Sequence, residues 1–187
     1  VSAINWLFEK SESLLIRGCK ALGNRLPKFT IENEGAPYLS RFYLIRKGRS
    51  DDDFDEEGVA GFREKKLNKY LSVYLHYFHR GDEDASLHNH PWRRSYSLIL
   101  TNGYREERWD SKTKTVITRT LRPGSINRIM ADDFHRVELL DPTRGAWTLF
   151  FTGSRVKEPW GFWWPGVHDF IPHYNFTRSR TAHDRPS

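Results

Sequence analysis

The chain has 187 residues, 37% of them hydrophobic and 29% charged, with a mean hydropathy of −0.72. That is enough for one packed core and an appended element in a water-exposed globular protein. A formal charge of +6 and a pI of about 9.5 favour an anionic partner, whether phosphate, nucleic acid or carboxylate. The single cysteine, Cys19, excludes an internal disulfide and a cysteine-based zinc cluster, so any metal must rest on histidine and carboxylate ligands.

Aromatic residues reach 14%, 7 of them Trp, which suits pleated, half-buried strands and pocket walls. Apolar runs are too short to span a bilayer. The start of the chain lacks a basic segment followed by an apolar one, so no signal peptide and a cytoplasmic location are expected.

Residues 3–22 read as a helix. Ile4, Leu7, Phe8, Ser11, Leu14, Leu15, Gly18, Cys19 and Leu22 form one stripe at helical spacing, with Glu9, Lys10, Glu12, Arg17 and Lys20 opposite. Gly23 and Asn24 supply the stop. The expectation is an amphipathic helix, within residues 1–27, packed on the outside of a β-structure that occupies 28–175. Residues 38–46 read as a strand, and 51–57 as a solvated acidic loop or flap. From about residue 71 short strands recur, at 71–79, 95–100, 104–109, 115–121, 127–129, 136–140 and 147–152. Asn102-Gly103, Pro123-Gly124, Asp132-Asp133 and Asp141-Pro142 punctuate them. Segments 160–164 and 167–171 add a hairpin, and 176–187 form a basic tail. The pattern predicts a mainly β fold, a barrel or jelly roll with an N-terminal helix.

The chemistry-bearing run is His88-Asn89-His90-Pro91-Trp92. Side chains two apart on an extended chain point the same way, so both imidazoles can reach one ion. Imidazole suits iron, zinc, nickel and copper. His135, after the Pro123-Gly124 turn and ahead of an apolar strand, is the candidate third ligand. Tyr74, His76 and Phe78 share one strand face, as do Tyr96, Leu98 and Leu100, and such alternate positions fill or line barrel interiors. Arg136 adjoins His135, and an arginine beside a metal clamps carboxylate or phosphate with its fork. Trp92 is expected to pack the loop. No phosphate-binding loop, dinucleotide fingerprint, nucleophile elbow or His-Glu-x-x-His helix occurs.

Gly81, His88, His90 and Gly103 resemble the first motif of the cupin superfamily, and Pro123, Gly124 and His135 its second. The resemblance covers about 70–152. More narrowly, Leu87-His88-Asn89-His90-Pro91-Trp92, with Trp147-Thr148-Leu149-Phe150 and Trp160-Gly161-Phe162, is similar to cupin-like proteins of bacteria and phages. The glutamate of the first motif would fall near Arg94 or Ser95, and neither is a carboxylate. The interval from Gly124 to His135 is also longer than in the simplest second motif. Three-histidine cupin sites without the glutamate occur, as in cysteine-dioxygenase-like thiol dioxygenases. Asp84, Glu106 or Glu138 are the alternatives for completing the shell.

The resemblance implies a cupin-type barrel with a divalent metal on His88, His90 and His135, iron(II) first and zinc, nickel or manganese otherwise. It implies a mononuclear non-haem iron(II) dioxygenase acting on a small polar or anionic substrate. His135 and Arg136 would be its catalytic residues, and Tyr74, His76, Tyr96 and Arg136 its substrate pocket. The alternatives are a sugar or sugar-nucleotide isomerase or epimerase, with His135 or a tyrosine as acid or base, and a non-catalytic binding or structural module, phage-associated in one version. A homo-oligomer is open, and nucleic acid is a partner without a recognisable module.

Overall fold

The structure, a computed structural model, describes residues 3–33, 35–45, 71–82, 86–156, 158–165 and 169–173. The acidic segment 51–57 and the basic tail 176–187 lie outside the described residues. Helix α1 (Ala3–Gly23) is followed by strands β1 (Lys28–Asn33), β2 (Ala36–Ile45), β3 (Ser72–Phe78), β4 (Leu87–His88), β5 (Arg94–Ile99) and β6 (Tyr104–Asp110). Strands β7 (Thr115–Leu121), β8 (Ile126–Met130), β9 (His135–Leu139), β10 (Ala146–Thr152), β11 (Gly161–Trp164) and β12 (Asp169–Pro172) complete the order.

The strands form two six-stranded antiparallel sheets, β1-β2-β3-β10-β5-β8 and β12-β11-β4-β9-β6-β7. From β3 to β10 the chain passes between them so that β3, β10, β5 and β8 face β4, β9, β6 and β7. That double-sheet order is a jelly roll. Strands β1 and β2 widen one sheet, and β11 and β12 the other. Strand β1 was not expected; its alternating Phe29 and Ile31 were the available signal.

Period-two alternation sorts the side chains. Between the sheets lie Ile99, Tyr104, Val137, Leu139 and Ala146, with Phe78 and Leu121 against them. Tyr74, Ile129 and Phe150 pack with Tyr43 and Trp92 in a second inner cluster. Outside the first sheet, Phe42, Leu75 and Trp147 receive the helix through Cys19 and Ile16. Each such side chain fully removed from water contributes about 1.5–3 kcal/mol.

The helix is rotated relative to the expected stripe. Leu14, Leu15 and Leu22 are exposed, and Glu12, Ile16, Cys19 and Gly23 turn toward the sheet instead. Glu12 explains the rotation. Its carboxylate accepts the Asn102 N–H at 2.8 Å and pairs with Arg144 at 2.8 Å, clipping the helix to two turns of the barrel. Burial raises its pKa, but these bonds outweigh that and hold it below the ordinary value. Gly23 matters at the helix end, where a Cβ would lie 3.1 Å from the Phe42 ring.

Two turns need glycine. Gly124 (φ +88°) follows Pro123 in a turn closed by Ser125 N–H to the Arg122 carbonyl at 2.9 Å, the type II pattern. Gly103 (φ +101°) sits where a Cβ would fall 2.4 Å from the Leu121 carbonyl, at the corner between the sheets.

Candidate metal centre

Strands β4 and β9 are neighbours, and their pairing sets His88 directly opposite His135. Opposed residues on antiparallel strands share a face, so both imidazoles turn inward. His90 lies two residues beyond His88, on the link that crosses toward β5, and its ring also turns in. The ring centroids form a nearly equilateral triangle, with separations of 5.1 Å for His88–His90, 4.9 Å for His88–His135 and 5.1 Å for His90–His135. One nitrogen from each ring lies within 4.8 Å of the others, and His90 Nε2 is 2.9 Å from His135 Nε2. Metal–nitrogen bonds near 2.1 Å place ligand nitrogens roughly 3.0–3.4 Å apart, so small ring rotations close the triangle on one divalent ion. The residues present fit such an ion.

The third ring is held from behind, and the segments that carry the other two are braced. His135 Nδ1 bonds the Glu106 carboxylate at 2.7 Å, which leaves Nε2 facing the centre. Glu106 is fully buried on β6 and also accepts from Arg108 (2.9 Å), Asn127 Nδ2 (2.7 Å) and Arg119 Nε (3.1 Å). Burial raises its pKa, yet the His135 bond and the charges of His135 and Arg108 dominate and hold it well below the carboxylate range. Arg108 extends the network to Asp133 at 2.7 Å. Asn89, between the first two histidines, accepts the Gly161 N–H at 2.8 Å and donates to the Ala131 carbonyl at 2.9 Å, fixing the crossing link. Asp82 braces β9 by accepting the Val137 N–H at 2.6 Å, and its carboxylate lies 3.9 Å from His88 Nδ1. A side chain at Gly81 would approach the Val137 carbonyl to 2.9 Å, so glycine permits that brace.

Burial disfavours a charge on His90. Burial, then the charges of His135, His88, Arg41 and His76, push the His90 pKa well below the ordinary value, leaving its lone pair available. His76 is lowered in the same way by burial and by Arg41.

Of the three carboxylates that the sequence left open, Glu106 stands behind His135 rather than beside the triad. Glu138 is on the outer face, paired with Arg105 at 2.9 Å, and Asp84 lies outside the described residues. The signal for Glu106 was its inward position between Tyr104 and Arg108 on β6.

Among the expected pocket residues, Tyr74 and His76 do turn inward. His76 stacks on Phe150 at 4.8 Å and on Tyr74 at 5.7 Å. Tyr96 does not. The inner face of β5 carries Ser95, Ser97 and Ile99, and Tyr96 is 37% exposed on the outer one. Arg136 is likewise corrected: the alternation that turns His135 in turns Arg136 out, where it pairs with Glu107 at 2.7 Å. Trp92 does more than pack the loop, since it stacks on His90 at 5.7 Å and meets Phe150 edge-on at 5.6 Å. Phe162, opposite His88 on β11, closes another side at 6.2 Å. Among the described residues no helix is long and apolar enough to cross a membrane.

No protein-family model matches the chain, and no curated protein matches it in sequence. Among solved structures, hydroxypropylphosphonic acid epoxidase from S. wedmorenis aligns over 70% of this chain and 56% of its own, at 10% identity and a TM-score of 0.47. KdgF from Halomonas sp. aligns over 71% and 92%, at 14% identity and a TM-score of 0.45. An oxalate oxidase aligns over 45% and 42%, at 16% identity and a TM-score of 0.37. The chain thus spans little more than half the length of the epoxidase.

Proposed function

We propose that this protein is a metal-dependent enzyme, a mononuclear non-haem iron(II) dioxygenase of small polar or anionic substrates, with His88, His90 and His135 as the metal ligands. The observation that carries the reading is the convergence of three imidazole nitrogens within 4.8 Å, one of them oriented by a buried carboxylate. Bound iron(II) would supply open coordination positions and electron transfer between substrate and dioxygen.

The chain's own residues do the rest. Three neutral imidazoles leave the ion's charge uncompensated within the inner shell, which favours an anionic substrate. Glu106 holds the His135 ring in one tautomer. Trp92, Phe150 and Phe162 wall the centre with aromatic surface. In dioxygenation both oxygen atoms enter the product and the substrate supplies the electrons, so no external reductant is required.

The test is elemental analysis after anaerobic purification, then oxygen uptake with a panel of small acids. Wild type is expected to hold one iron per chain, and His88→Ala and His135→Ala none, with thermal unfolding still cooperative. Full metal loading in either variant removes that ligand from the set. An intact fold that takes up no metal overturns the reading in favour of a binding module. Zinc or nickel in place of iron keeps the metal centre and rejects the oxygen chemistry.

A further inference from the structure

Four strands end a sheet, β1 and β8 in one and β7 and β12 in the other. An end strand carries unpaired main-chain groups that invite another chain, and proteins blunt such edges with charge, proline, bulges or brevity. Three of the four are blunted. Strand β1 holds Lys28 and Glu32 and breaks register between Ile31 and Glu32. Strand β12 spans only Asp169–Pro172 and ends in proline. Strand β8 exposes Arg128, and the Arg128 carbonyl already accepts from Arg108 at 3.0 Å. Strand β7 has none of these devices. It contains neither glycine nor proline, and Thr115, Val116, Ile117, Thr118 and Thr120 are β-branched residues that favour extended chain. All of them are exposed, the apolar Val116 and Ile117 included.

The one charge on β7 does not guard the edge. Arg119 turns inward, where its Nε donates to Glu106 at 3.1 Å and its Nη2 to Asn127 at 3.0 Å. The direction of the main chain follows from β6. The Trp109 N–H bonds the Phe134 carbonyl at 2.9 Å, and the Leu140 N–H bonds the Gly103 carbonyl at 3.1 Å. Alternation between those two points turns the groups of Arg105, Glu107 and Trp109 toward β9. Tyr104, Glu106, Arg108 and Asp110 therefore bond β7, through their opposites Leu121, Arg119, Ile117 and Thr115. Val116, Thr118 and Thr120 alternate with these and aim their N–H and C=O groups at the open side. Among the described residues no strand pairs with them there.

We infer that β7 is an interface for a second copy of this chain, pairing antiparallel with its own counterpart across a two-fold axis at Thr118. The sequence of the strand selects that register. Centring on Thr118 engages the whole strand and sets Val116 against the partner's Thr120 and Ile117 against the partner's Arg119. Centring on Arg119 would oppose like charges, and centring on Ile117 would leave Thr120 and Leu121 without strand opposite them. A contact of this kind uses the same patch on both copies, so it closes at a dimer instead of growing into a filament. The two six-stranded sheets then run on as one. A single edge pairing is a small interface, below about 1,200 Å², so the dimer is expected to be weak, with a Kd of about 10–100 µM. The inference does not depend on the metal reading.

Sedimentation of the full chain over a concentration series up to about 0.5 mM measures the association. Wild type is expected to show a monomer–dimer equilibrium. Thr118→Lys places like charges on the axis, and Thr118→Pro removes an outward N–H without touching a bond to β6. Each is expected to weaken the dimer at least about tenfold, and the pair guards against one variant that fails to fold. Leu14→Lys, at the most exposed leucine of α1, is expected to leave it unchanged. Cross-linking reads the register. Under mild oxidation Thr118→Cys is expected to form a disulfide dimer, whereas Val116→Cys and Thr120→Cys, each far from its own counterpart, are expected to react at least about tenfold more slowly. Cys19 is buried, so wild type is the uncross-linked control. Wild type that stays monomeric throughout overturns the inference, as does a dimer that persists in folded Thr118→Lys or Thr118→Pro. A dimer lost in Leu14→Lys transfers the interface to the helix and overturns it too. Equal cross-linking at all three cysteine positions overturns the register.

Discussion

Replacing Glu106 with glutamine changes one atom and removes one charge from the middle of the network. The carboxylate accepts from His135, Arg108, Asn127 and Arg119, and its side chain has no exposure to water. An amide can accept on one atom only, and its own N–H groups would then face donors. Arg108, 12% exposed, loses its closest buried counter-charge, whereas Arg119 at 42% exposed recovers hydration. Removing one partner of a buried pair costs about 3–5 kcal/mol. For a chain of this length that lowers the melting temperature by about 6–20 °C. Metal affinity is expected to fall about 10–100-fold, because the His135 ring loses the acceptor that fixes its tautomer. Calorimetric unfolding measures the first effect, and competition against a chelator of known affinity the second. Glu106→Gln that melts within 2 °C of wild type and binds metal equally well would refute the claim that this carboxylate orients the third ligand.

The pH dependence of stability has a worked sign. The folded-state pKa values of His76 and His90 are lowered, so between those values and the unfolded value of about 6.5 the unfolded chain binds more protons. Stability is therefore full above that value and falls as pH drops through it, by up to about 2.7 kcal/mol per pH unit for the two together. Urea midpoints of metal-free protein measure this, and His76→Phe is expected to halve the slope. Asn89→Ala removes the bond accepted from Gly161 and the one donated to Ala131. It is expected to cost about 1–3 kcal/mol by urea titration and to weaken metal binding, since the spacing of His88 and His90 is no longer held. Gly103→Ala forces a Cβ to 2.4 Å from a carbonyl at φ +101° and is expected to destabilise by more than about 1 kcal/mol, read as a lower urea midpoint.

Apart from the two-residue β4, the strands from β3 to β10 were legible because each alternates, or is closed by a Gly, Pro or Asn-Gly turn, and because two histidines two apart on extended chain share a side. Legibility failed where adjacency in sequence was read as adjacency in space. Arg136 follows His135 immediately, and in a strand the next residue is the one on the other face. On β5 the bulky set Tyr96, Leu98 and Leu100 was read as interior. The interior side instead carries Ser95 and Ser97, next to Thr152 and Phe150 of β10. Outside, Leu100 meets the cluster that receives the helix. The helix stripe was misjudged by a single polar residue, Glu12, whose partners are about ninety and more residues away in the chain. Glu106 was one of three equivalent carboxylates until its strand neighbours showed which way it points.

His88 and His135 belong to one sheet, while His90 is carried on the segment that delivers the chain to the other. An ion gripped by all three would thus be a rivet across that end of the jelly roll. It would close a loop of 45 residues between His90 and His135 and join two layers that otherwise meet there through aromatic packing. Extraction of such an ion would then require the layers to part at that end. Above a threshold of chelator, the rate of demetallation should stop depending on chelator concentration and report the breathing of the fold itself.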